Sequence, residues 1–115
     1  MELTFEAAQT LIMREAQGEE GLPVCVRSGD DPGAERMARL VGALWEVYLG
    51  LQDQASIDRR LAAALHALSS YVFHQVASGT RSRSWRDEFV AREVVQLGEA
   101  IESIFEGEPV YWVNE

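Results

Sequence analysis

Lysine is missing from this chain, and all ten basic residues are arginine. Arginine and lysine differ little in helix propensity, so folding does not demand the choice. It hints instead at the GC-rich coding bias of a bacterial or phage source. Cysteine is nearly missing too. A lone Cys25 excludes an intrachain disulfide and gives no basis for a cysteine metal site. Its neighbours Val24 and Val26 mark it as a small buried hydrophobe rather than a reactive thiol. No stretch approaches the roughly 20 apolar residues of a membrane span. The N-terminus carries acids where a signal peptide carries base, so a cytoplasmic protein is expected.

Positive charge is scarce overall. Nineteen acids against ten arginines leave a formal net charge of −9. That balance disfavours nonspecific binding to nucleic-acid backbones and to anionic membranes. Catalytic signatures are also wanting. There is no Gly-x-Ser-x-Gly elbow, no P-loop and no Gly-x-Gly-x-x-Gly turn. No Glu-x-x-His pair of the kind used by carboxylate-bridged di-metal bundles occurs. No catalytic residue, metal ligand or cofactor is expected.

What the chain does have is apolar residues at helical spacing. Of its 115 residues, 47% are hydrophobic, enough for one domain over 1–115 with a single core. Residues 56–79 are central: Ile57, Leu61, Leu65, Leu68, Val72 and Val76 recur at steps of four and three, one stripe of a helix. Ser56 offers its N-cap and Gly79 its stop. A first helix is expected over 4–17, capped by Thr4, with Phe5, Ala8, Leu11, Ile12 and Ala16 inward. A second follows Asp31 as N-cap and Pro32 at the first helical position. It carries Met37, Val41, Leu44, Tyr48 and Leu51 in a stripe that Leu40, Trp45, Val47 and Leu49 widen. So broad an apolar surface predicts a central helix or an oligomer interface. The short link over 52–55 predicts that the helices on either side of it pack antiparallel. A last helix starts at Ser84 and ends at Gly107, with Val90, Val94, Leu97, Ile101 and Ile104 inward.

Residues 23–27 are β-branched and hold Pro23, which predicts an extended segment. Residues 109–113 form a second one that could pair with it. The expected fold is an all-α antiparallel bundle of about four helices with these two short extended segments. A homodimer through the second and third helices is also expected.

Three groups of residues are candidates for binding. Glu99, Glu102 and Glu106 share a helical face, and Glu108, Tyr111 and Trp112 follow directly. A carboxylate row beside aromatics suits a basic partner surface. Arg81, Arg83 and Arg86 surround a helix start, where free N–H groups favour an anion such as phosphate. Arg59, His66, Ser70 and His74 lie together off the stripe of the third helix and would line a ligand pocket if another element covered them. The two histidines stand eight residues apart, too far to share a metal from one helix.

The expected function is that of a non-enzymatic protein-interaction module, of the inhibitor, immunity or antitoxin type, binding a basic surface of another protein. A small-molecule or phosphate binder and an oligomerising adaptor are the alternatives. No direct nucleic-acid or membrane partner is expected, and nothing in these patterns amounts to a family resemblance.

Overall fold

The computed structural model describes residues 3–77 and 89–109, with side chains given for 3–72 and 92–109. Among the described residues five α-helices follow in order: α1 Phe5–Gln17, α2 Leu22–Arg27, α3 Ala34–Leu51, α4 Arg59–Ala77 and α5 Val95–Glu106. A π-helical segment, Phe89–Val94, leads directly into α5. The chain is an all-α helical bundle, with no strand among the described residues. Its radius of gyration is 13.8 Å, close to the ~13 Å expected of a compact chain of this length.

Four long helices form the bundle. α1 packs on α3 and on α4, α5 packs on α3 and less extensively on α4, and the short α2 lies against α4. The order around the bundle is therefore α1, α3, α5, α4. α3 and α4 occupy opposite corners and do not pack lengthwise, which corrects the expectation drawn from the short link. The connection runs over 52–58, because α4 starts only at Arg59. Seven residues, each reaching up to ~3.3 Å, span a diagonal with ease.

The periodic stripes face the centre as expected, with Val41 only partly buried; the side chains of Val76 and Val90 lie outside the described residues. Ala8 and Ile12 of α1, Met37, Leu40, Leu44, Val47 and Tyr48 of α3, Leu61, Leu65, Leu68 and Val72 of α4, and Leu97, Ile101 and Ile104 of α5 are buried. Burying each large aliphatic side chain stabilises the fold by about 1.5–3 kcal/mol. α3 contributes most to this core, in keeping with its wide apolar surface.

Helix ends show where cap chemistry is legible and where it is not. Thr4 caps α1, its hydroxyl accepting the Ala7 N–H at 3.1 Å. The start of α3 differs from expectation: Gly33, at φ +88°, takes the N-cap position. The Asp31 carboxylate instead accepts the Gly33 N–H at 2.9 Å and shapes the turn before the helix. At α4 the cap is Asp58 rather than Ser56. Its Oδ1 accepts the Arg60 N–H at 2.7 Å and its carbonyl accepts from Ala62 at 2.9 Å. Ile57 thus precedes the helix, although it still packs on the core. The expected stop at Gly79 and start at Ser84 lie outside the described residues.

Residues 23–27 are helical, not extended, so no strand pairing with 109–113 forms; residues 110–113 lie outside the described residues. Pro23 sits in the first turn of α2, where its missing N–H has no helical acceptor to lose. Leu22 and Val26, four apart, are then brought to one side and buried. β-branching is a weak preference, and a buried i, i+4 pair overrides it. Gly21 makes the turn between α1 and α2 tight. Its N–H donates to the Gly18 carbonyl at 3.0 Å, and a β-carbon there would run into the carbonyl of Glu15.

One polar interaction ties this turn to α3. Arg36 reaches Glu15 with both arms of its guanidinium: Nε to Oε2 at 2.9 Å and Nη2 to Oε1 at 2.7 Å. Nη2 also donates to the Glu20 carbonyl at 2.7 Å. Both side chains are largely shielded, at 25% and 14% exposure. The hydrogen bonds to Glu15 hold the Arg36 pKa above its ordinary value. Planar, bidentate geometry of this kind is beyond lysine.

Two outcomes test this packing. Glu15→Gln removes the charge from a shielded pair and is expected to lower stability in urea by about 1–3 kcal/mol. Arg36→Lys, which keeps charge but not the fork, is expected to lose most of the same amount. The second concerns Gly50 on α3, where a β-carbon would lie 2.6 Å from Cε1 of Phe5 and closer still to Cδ1. Gly50→Ala should therefore destabilise the wild type by about 1–2 kcal/mol through overpacking. In a Phe5→Ala background the same change should stabilise by up to ~1 kcal/mol, the helix-propensity gain. Thermal unfolding of the four proteins of this cycle reads the reversal.

Candidate interaction surface

The last three turns of α5 carry the most one-sided chemistry among the described residues. On α5, Leu97, Ala100, Ile101 and Ile104 are buried. At ~100° per residue, Glu102 then points away from the core, with Glu99 and Glu106 within about 60° of it. Glu102, Glu106 and Glu108 are exposed and Glu99 is partly buried. Gly107, left-handed at φ +79°, closes the helix, its N–H donating to the Ser103 carbonyl at 2.8 Å.

Among the described residues this end is electrostatically uncompensated. The carbonyl end of a helix carries partial negative charge and favours cations. Here the last turn holds no basic residue, and among the described residues no ion pair reaches any of the four glutamates. Ser103, buried on the same helix, donates its hydroxyl to the Glu99 carbonyl at 2.8 Å.

Phe105 completes the surface and was not foreseen from the sequence. It is 48% exposed, one turn along from Glu102 and next to Glu106. The signal was available: Phe105 falls a step beyond the Ile101–Ile104 stripe, which turns it out of the core. An exposed phenyl ring among carboxylates presents an apolar anchor inside an acidic rim. Tyr111 and Trp112, proposed for that role, lie outside the described residues.

Arg59 and His66 are exposed on α4 and Ser70 is partly buried. Arg81, Arg83, Arg86 and the side chain of His74 lie outside the described residues. An open groove of about 390 Å³ runs instead between α1 and the start of α4, lined by Glu6, Gln9, Thr10, Met13, Asp58, Arg60 and Leu61. Its polar groups are partly committed to helix structure: Thr10 donates to the Glu6 carbonyl at 3.0 Å, and Asp58 caps α4. Among the described residues no three His, Cys, Asp or Glu side chains are grouped to hold a metal. No described helix is long and apolar enough to cross a membrane.

Cys25 is partly rather than fully buried, which corrects the sequence expectation. Its thiol donates to the Asp30 carbonyl at 3.5 Å. Burial pushes its pKa above the ordinary 9.0, with Arg36 opposing and Asp30, Glu15 and Asp31 adding to the rise. The folded state thus retains the thiol proton longer than the unfolded chain does. The stability this contributes is fully present below the unfolded pKa and is lost as pH rises through the folded one. Alkylation of Cys25 by iodoacetamide is accordingly expected to be slower in the folded protein than in urea at pH 8. Its rate profile should have a midpoint above 9.0; a midpoint at or below that value contradicts the assignment.

No protein-family model, curated protein or solved structure matches this chain.

Proposed function

We propose that this chain is a small, acidic, non-enzymatic interaction module that engages a basic surface of another protein through the outer face of α5. Glu102, Glu106 and Glu108 supply the charge, Glu99 extends it along the helix, and Phe105 provides the apolar anchor. The observation that carries this reading is the crowding of carboxylates, without a counter-charge among the described residues, at the wrong end of a helix dipole. Such an arrangement costs stability in the free protein, and a cationic partner removes that cost on binding. Proteins of the inhibitor, immunity or antitoxin type work this way, covering a basic functional surface with an acidic one.

Two measurements test the reading. In the free protein, Glu106→Gln is expected to raise stability by about 0.3–1 kcal/mol, because it removes a like charge from the helix end. For binding, the immobilised protein is exposed to lysate at low salt, eluted along a salt gradient, and compared with a Glu102→Gln/Glu106→Gln variant. A protein with a basic surface that elutes at moderate salt from the wild type should bind the variant about ten-fold more weakly. Equal retention by both proteins, or elution insensitive to salt, would overturn the proposal.

A further inference from the structure

α3 has a second face, turned away from α1 and α5. Ala38, Gly42, Trp45 and Leu49 follow one another at steps of four, three and four, the spacing of a helix–helix seam. Ala38 and Gly42 are exposed, Trp45 is partly exposed, and Leu49 is 58% exposed, more than any other large hydrophobic side chain described. Gly42 lies in the middle of the helix, and a β-carbon there would meet nothing within 4 Å. A mid-helix glycine destabilises relative to alanine. Within the described chain nothing repays that loss.

Charge along this face says what fits it. Arg39 and Glu46 stand seven residues apart, so they lie on the same flank of the seam. Opposite charges at equivalent seam positions make the face complementary to itself when a two-fold axis reverses the partner helix. Arg39 of one copy then meets Glu46 of the other, and the contact occurs twice. A parallel two-fold pairing would carry this flank to the opposite side of the seam in the partner, where the two side chains do not meet. Among the described residues Arg39 is otherwise held only by Glu35, at 3.7 Å and with both side chains mostly exposed.

We propose that a second copy of this chain docks here, the two α3 helices antiparallel and crossing near Gly42. Gly42 and Ala38 let the backbones approach, Trp45 and Leu49 cover one another's seams, and the Arg39–Glu46 pairs fix direction. One helix pair buries less than a standard interface, so the dimer should be weak, with Kd about 10–100 µM. The net charge of −9 on each copy opposes association, so the dimer should be tighter at ~0.3 M salt than at ~0.02 M.

Sedimentation equilibrium from about 5 to 500 µM at ~0.3 M salt reads the association. Leu49→Glu should weaken it at least ~ten-fold, and Arg39→Glu and Glu46→Arg at least ~five-fold each. The double exchange Arg39→Glu/Glu46→Arg should restore it to within about two-fold of wild type. All these positions are at least partly exposed, and thermal unfolding at low concentration verifies that each variant folds. A wild type that stays monomeric throughout overturns the proposal. So does a dimer indifferent to Leu49→Glu, or one that the charge exchange does not restore.

Discussion

The bundle depends on α1 joining two helices that follow one another in the chain but share no extensive contact. α3 and α4 stand at opposite corners, and α1 touches both. Its contribution centres on Ala8 and Ile12, both fully buried, with Phe5, Leu11, Met13 and Ala16 packed beside them. Ala8 keeps the helices close, and Ile12 fills the centre. The Arg36–Glu15 fork then fixes how far α1 slides along α3, because bidentate geometry tolerates little displacement. With α1 in place, α5 closes the fourth corner against α3, and its carboxylates are left facing outward.

The division between what the sequence disclosed and what it hid follows the range of the interactions. Stripes such as Leu61–Leu65–Leu68–Val72 are local, and each is repeated over several turns, so their burial could be read directly. Thr4 was legible for the same reason. Residues 22–27 were misread because β-branching and Pro23 both argue against a helix in isolation. The deciding event, burial of Leu22 and Val26 on α4, is nonlocal. Asp58 and Ser56 are both good caps two residues apart, and the choice falls to the one whose carboxylate meets the Arg60 N–H. The Glu15–Arg36 pair spans 21 residues and leaves no periodic trace.

The candidate surface was half legible. Helical phase alone places Glu99, Glu102 and Glu106 together, and it also places Phe105 beside them. Compensation is invisible in the sequence. Whether a carboxylate row is solvated or neutralised depends on which arginines fold back on it. In the folded chain Arg36 and Arg39 are turned toward Glu15 and Glu35, leaving α5 without a described counter-charge.

The diagonal placement of α3 and α4 also bears on how the chain is made. Helices joined by a short link ordinarily form a hairpin that folds as it leaves the ribosome. Here the second of the two helices shares no extensive contact with the first, and α1, which is synthesised before either, packs on both. α1 can dock on α3 as soon as that helix has emerged, but the flank that receives α4 stays open until later. A truncation that removes α1 takes away an extensive contact of both helices and leaves α5 as the long described helix that still touches the two.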